Sequence, residues 1–230
     1  LSIMKQALLF ATAFLLFFSC VETDYKNDRV DPEIFISNPL STLEEGTDYQ
    51  LETKYFNYVG KEIENPVVNW STENPTILTV SETGLVTGIS MGVAIITASL
   101  ITKEENLTIT NTNKITVSMS TAVEPVKFEG TITSTSSYLL KGSYTLEPLD
   151  AGGVKLSLGE DYEADTSLPG LYIYLGNNPN STADAFEIGP VTTFDGAHFY
   201  DLPTIGIYDY NYVLYWCKPF GVKVGEGQIK

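Results

Sequence analysis

The chain is poor in the residues from which most side-chain chemistry starts. It has one histidine, His198, and two cysteines, Cys20 and Cys217. Any Ser-His-acid arrangement would have to recruit His198, and no Gly-x-Ser-x-Gly elbow is present. Positive charge is also scarce, with 13 Lys and Arg against 29 Asp and Glu and a net charge of −16. That sign argues against nucleic acid and against a basic patch on anionic lipid, since both depend on positive charge displacing counterions. Helical patterning is missing as well: beyond the N-terminal segment no stretch sustains an apolar stripe at i, i+3, i+4 and i+7. What remains is aromatic and β-branched. Fourteen tyrosines and eleven phenylalanines, in a chain of 230 residues, are enough to bury one large core or two small ones.

The first twenty residues have the form of a targeting segment. Lys5 supplies the positive start, Ala7 to Phe18 is apolar apart from Thr12, and Ser19-Cys20 closes the run. The three residues ahead of Met4 look like a misplaced start site. A small residue directly before a cysteine resembles the lipobox of bacterial lipoproteins, relaxed as in Bacteroidetes-type members because Phe17 and Phe18 replace the usual Leu and small residue. The resemblance implies a signal peptide over 1–19 and lipidation at Cys20, which anchors the chain to a membrane without crossing it. Val21 to Pro32, with Glu22, Asp24, Asp28 and Asp31, has no apolar period and is expected to be an acidic tether. Its early carboxylates resemble the surface-export signal of such lipoproteins.

From Ile34 onward, short β-branched and aromatic runs alternate with Gly, Pro, Asn and Asp. The pattern predicts strands at Ile34–Ile36, Tyr49–Tyr55, Val67–Ser71, Leu78–Val80, Leu85–Thr87, Gly92–Leu100 and Leu107–Met119, and hence a β-sandwich. The mostly apolar Gly92–Leu100 run is expected to be buried more deeply than its neighbours. Trp70-Ser71-Thr72-Glu73-Asn74-Pro75, Leu78-Thr79-Val80, Gly84-Leu85-Val86-Thr87-Gly88 and Gly92-Val93-Ala94-Ile95-Ile96-Thr97-Ala98 together resemble the group 2 bacterial Ig-like (BIG2) domain, over residues 33–120. The resemblance implies a spacer or adhesion unit. Within it Trp70 is expected between the sheets, and Gly84 and Gly88 are expected in positive-φ turns. The sequons at Asn69 and Asn106 are read as chance, and Lys103-Glu104-Glu105-Asn106 as a solvated loop.

Residues 121–125 are a short link to a second all-β region, 126–230. Strands are predicted at Phe128–Thr133, Ser137–Leu146, Gly153–Ser157, Leu171–Leu175, Glu187–Gly189, Ala197–Leu202 and Tyr212–Trp216. The fold class is therefore all-β, with two tandem β-sandwich-type domains. Gly142-Ser143-Tyr144, Pro169-Gly170-Leu171-Tyr172-Ile173-Tyr174-Leu175, Tyr200-Asp201-Leu202-Pro203 and Tyr210 through Val222 resemble the DM13 domain, the last of these most specifically. Gly170 stands where that family has Asp, which leaves any role of that carboxylate without a counterpart here.

The DM13 resemblance implies electron transfer through its one cysteine, which is Cys217 here, with Tyr212, Tyr215, Trp216 and Phe220 as its aromatic surroundings. With Cys20 lipidated, Cys217 is the only mature thiol, so a disulfide cycle needs a partner thiol from outside. Lys218 and Lys223 are the nearby cations that could favour thiolate. The alternative is an inert cysteine packed with Trp216 and Phe220. His198 with Cys217 is a weak metal pair, and Glu160-Asp161-Tyr162-Glu163-Ala164-Asp165 fits no calcium loop. No metal site and no cofactor is assigned. Two functions follow: an outer-membrane lipoprotein exchanging electrons with an envelope redox partner, or a non-redox adhesion protein whose tyrosine-rich strands bind a surface glycan or protein. In both, an enzymatic role is at most that of a redox thiol.

Overall fold

Alternation of inward and outward side chains explains nearly every strand. The computed structural model describes residues 28–123 and 126–230; the expected signal segment 1–19, the expected lipidation at Cys20 and most of the expected tether lie outside the described residues. The strands are β1 (Glu33–Ile36), β2 (Thr42–Glu44), β3 (Asp48–Gln50), β4 (Thr53–Phe56), β5 (Asn69–Thr72), β6 (Leu78–Val80), β7 (Leu85–Gly88), β8 (Gly92–Ile101) and β9 (Thr108–Ser118) in the first part. The second part contains β10 (Phe128–Ser134), β11 (Leu140–Pro148), β12 (Val154–Leu158), β13 (Glu163–Ala164), β14 (Leu171–Gly176), β15 (Phe186–Pro190), β16 (His198–Leu202), β17 (Tyr212–Cys217) and β18 (Val222–Gln228), with one 3-10 turn at Lys218–Phe220.

The first body is an Ig-like sandwich. A sheet of order β2-β9-β8-β5 faces one of order β3-β7-β6, with β1 and β4 paired beside them. The predicted strand Tyr49–Tyr55 is in fact two. It leaves the β7 partner and joins β1 across Leu51, whose N–H donates to the Gly84 carbonyl at 3.0 Å. The β8 run is central in its sheet but buried on one face only: Ala94, Ile96, Ala98 and Leu100 point into the core, while Val93 and Ile101 are exposed. Trp70 is half-buried at the edge of this core rather than filling its centre, with its indole against Gly84. Gly84 has the expected positive φ of 84°. Gly88 does not; a Cβ there would stand 3.0 Å from the Glu44 carbonyl, so close approach explains it instead.

The second body has one continuous antiparallel sheet, β15-β14-β17-β18-β10-β11-β12-β16, with β13 added against β11. Its inner face forms a single core that draws residues from β10, β11, β12, β14, β17 and β18, so the sheet curls into a near-barrel. β15 and β16 lie at opposite ends of that sheet yet are consecutive in the chain. The segment between them runs alongside β13: Ala164 N–H donates to the Phe194 carbonyl at 2.8 Å, and Gly196 N–H to that of Tyr162 at 2.9 Å.

The link is partly docked. Ala122 and Thr42 exchange backbone hydrogen bonds at 3.1 and 3.2 Å, and Thr121 Oγ1 accepts from Glu44 N–H at 3.0 Å.

Candidate functional site

Strand β17 divides its side chains between two environments. Val213, Tyr215 and Cys217 face the barrel core, whereas Leu214 and Trp216 face outward and pack with Tyr174. Strict alternation along an extended strand dictates this split. Of the tyrosines singled out by sequence, Tyr172, Tyr174 and Tyr212 lie on the outer face and Tyr215 alone lies inside with the thiol.

Cys217 is 4% exposed and held in register between Leu171 and Val222. Phe220 does not surround it: at 69% exposure it sits on the 3-10 turn, facing solvent. Nor do the two lysines serve it. Lys218 Nζ is 2.7 Å from Glu187 and 4.5 Å from the centroid of Tyr172, both on the outside, and Lys223 Nζ is 2.6 Å from Glu226.

On the outer face Tyr172 and Tyr212 remain half-buried, flanking the more enclosed Tyr174, Leu214 and Trp216. Burial and the neighbouring Glu187 carboxylate push Tyr174 up to about 12. The cluster is edged by the Lys218–Glu187 and Lys223–Glu226 pairs, giving an aromatic patch with a charged border.

The barrel interior holds the other aromatic group. Tyr162 makes an edge contact with His198 at 4.8 Å and a tilted one with Tyr215 at 6.2 Å, and His198 meets Tyr200 at 5.5 Å. His198 Nδ1 donates to the Gly196 carbonyl at 3.0 Å, which orients the ring along the edge strand. Burial pushes Tyr162 up to about 12 and Tyr215 well above its ordinary value.

The carboxylates of 160–165 have structural employment. Asp161 accepts the Ser143 hydroxyl at 2.6 Å and its N–H at 2.9 Å, Glu163 pairs with Lys141 at 2.9 Å, and Asp165 accepts the Ser167 N–H at 2.8 Å. Glu160, Asp161, Glu163 and Asp195 line an open cleft of about 470 Å³. Among the described residues, no three His, Cys, Asp or Glu converge as a metal site.

A contact between the two bodies was not visible in the sequence. Lys54 pairs with Asp209 at 2.8 Å, Asn211 Nδ2 donates to Glu33 Oε2 at 2.7 Å, and Asn178 Nδ2 donates to the carbonyls of Asp28 and Val59. Lys230 closes the contact. These residues come from five separated stretches, and nothing in their local pattern marks them as partners.

Comparison with known proteins agrees with the first body. Residues 34–111 match the family model of the bacterial Ig-like domain (group 2), a domain that occurs in bacterial surface and envelope proteins. No curated protein matches the chain. Among the described residues no helix is long and apolar enough to cross a membrane.

Proposed function

We propose that the chain is an adhesion-type protein of the bacterial envelope. A lipid on Cys20 holds it to the outer membrane, on the periplasmic or the exterior face, and the tether carries both bodies, which meet near its end at Asp28 and Glu33. The observation that carries this reading is the pair of half-buried tyrosines, Tyr172 and Tyr212, seated on the buried cluster of Tyr174, Leu214 and Trp216 and bordered by charge pairs. Tyrosine and tryptophan combine a large apolar surface with a polar tip, and they are enriched where proteins recognise ligands. The partner is a surface glycan or protein.

Thiol exchange between Cys217 and an envelope redox partner is the second reading. Its support is position: Cys217 ends β17 and is followed by the exposed turn Lys218–Phe220, so fraying of one strand end would uncover the sulfur.

Two experiments test the main reading. Purified protein is assayed on arrays of glycans and matrix proteins, wild type against a Tyr172→Ser/Tyr212→Ser variant, with a loss of about tenfold or more expected for removal of interface aromatics. Equal binding by the two, or none by either, defeats it. Separately, Cys20→Ala should move the protein out of the membrane fraction and abolish fatty-acid labelling.

A further inference from the structure

The end of the second body that lies away from the junction carries a cluster of exposed apolar side chains. Two neighbouring turns form this tip: the 3-10 turn Lys218–Phe220 between β17 and β18, and the loop 135–139 between β10 and β11. Phe220 is 69% exposed, Val222 47%, Leu139 44% and Tyr138 40%. β10 and β18 pair at Ser134 and Gly225, and beyond that pair the Thr135 N–H and the Ser136 hydroxyl both donate to the Val224 carbonyl, at 2.9 and 3.2 Å. The loop therefore continues beside the start of β18, and Tyr138 and Leu139 share the tip with Phe220 and Val222.

Both turns are fastened. Ser134 Oγ donates to the Tyr138 carbonyl at 2.7 Å, Asp165 N–H to that of Leu139 at 2.8 Å and Lys218 N–H to that of Gly170 at 3.0 Å, while Gly221 closes the 3-10 turn at a φ of 60°. Single exposed apolar residues are ordinary on a protein surface, but four on two adjoining turns form a patch that marks an interaction site.

We propose, on the premise of the lipid anchor at Cys20, that this tip dips into the same bilayer and gives the chain a second membrane contact.

Charge is the first observation that selects lipid as the occupant. In a chain of net −16, the segments 134–142 and 217–224 hold Lys141, Lys218 and Lys223 and no carboxylate. Those lysines pair with Glu163, Glu187 and Glu226, and Asp165 at the border of the tip accepts the Ser167 N–H at 2.8 Å. The tip is thus spared the acidic excess that sets the rest of the surface against phospholipid headgroups. Aromatic and aliphatic side chains flanked by lysine suit the interfacial layer, where the apolar parts enter the acyl boundary and the amines stay among the headgroups.

Reach is the second. The described chain begins at Asp28, whose carbonyl accepts from Asn178, just past β14. From that contact to the tip runs the six-residue length of β14 and β17, about 17–20 Å of strand. The chain from Cys20 to Asp28 spans at most about 26–29 Å. Anchor and tip can therefore occupy one bilayer surface. A few apolar side chains bind a membrane weakly by themselves, so the tip adds to the anchor through proximity and does not replace it.

The test uses the full chain bearing its lipid, reconstituted into vesicles of equal parts phosphatidylethanolamine and phosphatidylglycerol, with and without brominated acyl chains. Phe220→Trp should gain a blue-shifted emission component that brominated lipid quenches and that the unsubstituted protein, with Trp70 and Trp216 alone, does not show. Tyr138→Trp should behave in the same way. In unlipidated Cys20→Ala protein, cosedimentation with these vesicles at high lipid should fall about tenfold on adding Phe220→Asp, the loss expected when one aromatic side chain no longer leaves water. Phe220 faces solvent, so the fold survives that change. The proposal is overturned if bromination leaves the added tryptophans unquenched, or if Phe220→Asp binds vesicles as its parent does. It is equally overturned if the added tryptophans are shielded only when an envelope protein extract is supplied, which makes the tip a protein-docking surface. The anchor at Cys20 fails by a different sign, the absence of fatty-acid labelling in the wild type.

Discussion

Tyr215 and Trp216 are adjacent in the chain but belong to different clusters: Tyr215 is fully enclosed in the barrel core beside Cys217, and Trp216 packs outside against Tyr174 and Leu214. One strand thus separates Cys217 from most of the aromatic side chains that surround it in sequence. The thiol and the tyrosine patch are two independent features, and each can be changed without the other.

The enclosed thiol gives the first prediction. In the folded protein Cys217 should react with a thiol reagent on the order of a hundredfold more slowly than in denaturant, because it reacts only through opening events. Cys217→Ser places a hydroxyl in an apolar core and should cost about 1–3 kcal/mol in chemical denaturation. Rapid labelling under native conditions would instead favour the redox reading.

A second prediction concerns β18. Gly225 and Gly227 sit where side chains cross over the sheet: a Cβ on Gly225 would stand 2.5 Å from Leu140 Cδ2 and from the Thr133 carbonyl, and one on Gly227 would stand 2.6 Å from Tyr144 Cε1. Gly225→Ala meets backbone as well as side chain, so it should destabilise by about 1–3 kcal/mol or more. Gly227→Ala meets the buried Tyr144 ring, but its nearest backbone atom, the Thr131 carbonyl oxygen, stands 3.0 Å away rather than 2.5 Å, so it should cost less. Urea midpoints of the two variants check the order.

Those glycines also explain what the sequence concealed. Most strands were legible because inward and outward residues alternate, as in Val154–Leu158 and Leu171–Gly176. β18 was not: two of its inward positions are glycine, so the apolar half of the alternation is absent. β2, at Thr42–Glu44, escaped for a related reason, since Leu43 alone carries its burial and its pairing with β9 is parallel and distant in sequence. For the candidate site, the segment around Cys217 was evident from its aromatic density. Which face each residue takes depends on a register set by β14 and β18, and the junction around Lys230 depends wholly on contacts across the two bodies.

The surface carboxylates set the acid response. Hydrogen bonds from Ser143 hold Asp161 below the usual range, Ser167 does the same for Asp165, and Lys218 for Glu187. In each case the folded state binds the proton less tightly than the unfolded chain. Their stabilisation is fully present above the ordinary carboxylate range of about 4 and is lost as pH falls through the lowered values. Asp161→Asn should flatten the acid limb of a stability-versus-pH curve measured by thermal unfolding. A curve unchanged from wild type would show that the Ser143 contacts contribute nothing measurable.

Gly60 offers a steric test of the junction. Its φ is 75°, in the left-handed region that other residues adopt only with strain, and a Cβ there would run into the backbone carbonyl of Asn177 in the other body. Backbone cannot give way as a flexible side chain can, so Gly60→Ala should act as a wedge between the bodies while leaving both cores packed. The expected signature is faster exchange of the Asn178 and Asn211 carboxamide protons and a larger radius of gyration in solution scattering, with the near-ultraviolet spectrum of the buried tyrosines preserved. A loss of about 1–3 kcal/mol confined to the junction fits over-packing at one close contact. If Gly60→Ala leaves both carboxamides protected and the scattering unchanged, the bodies are not held together at this point.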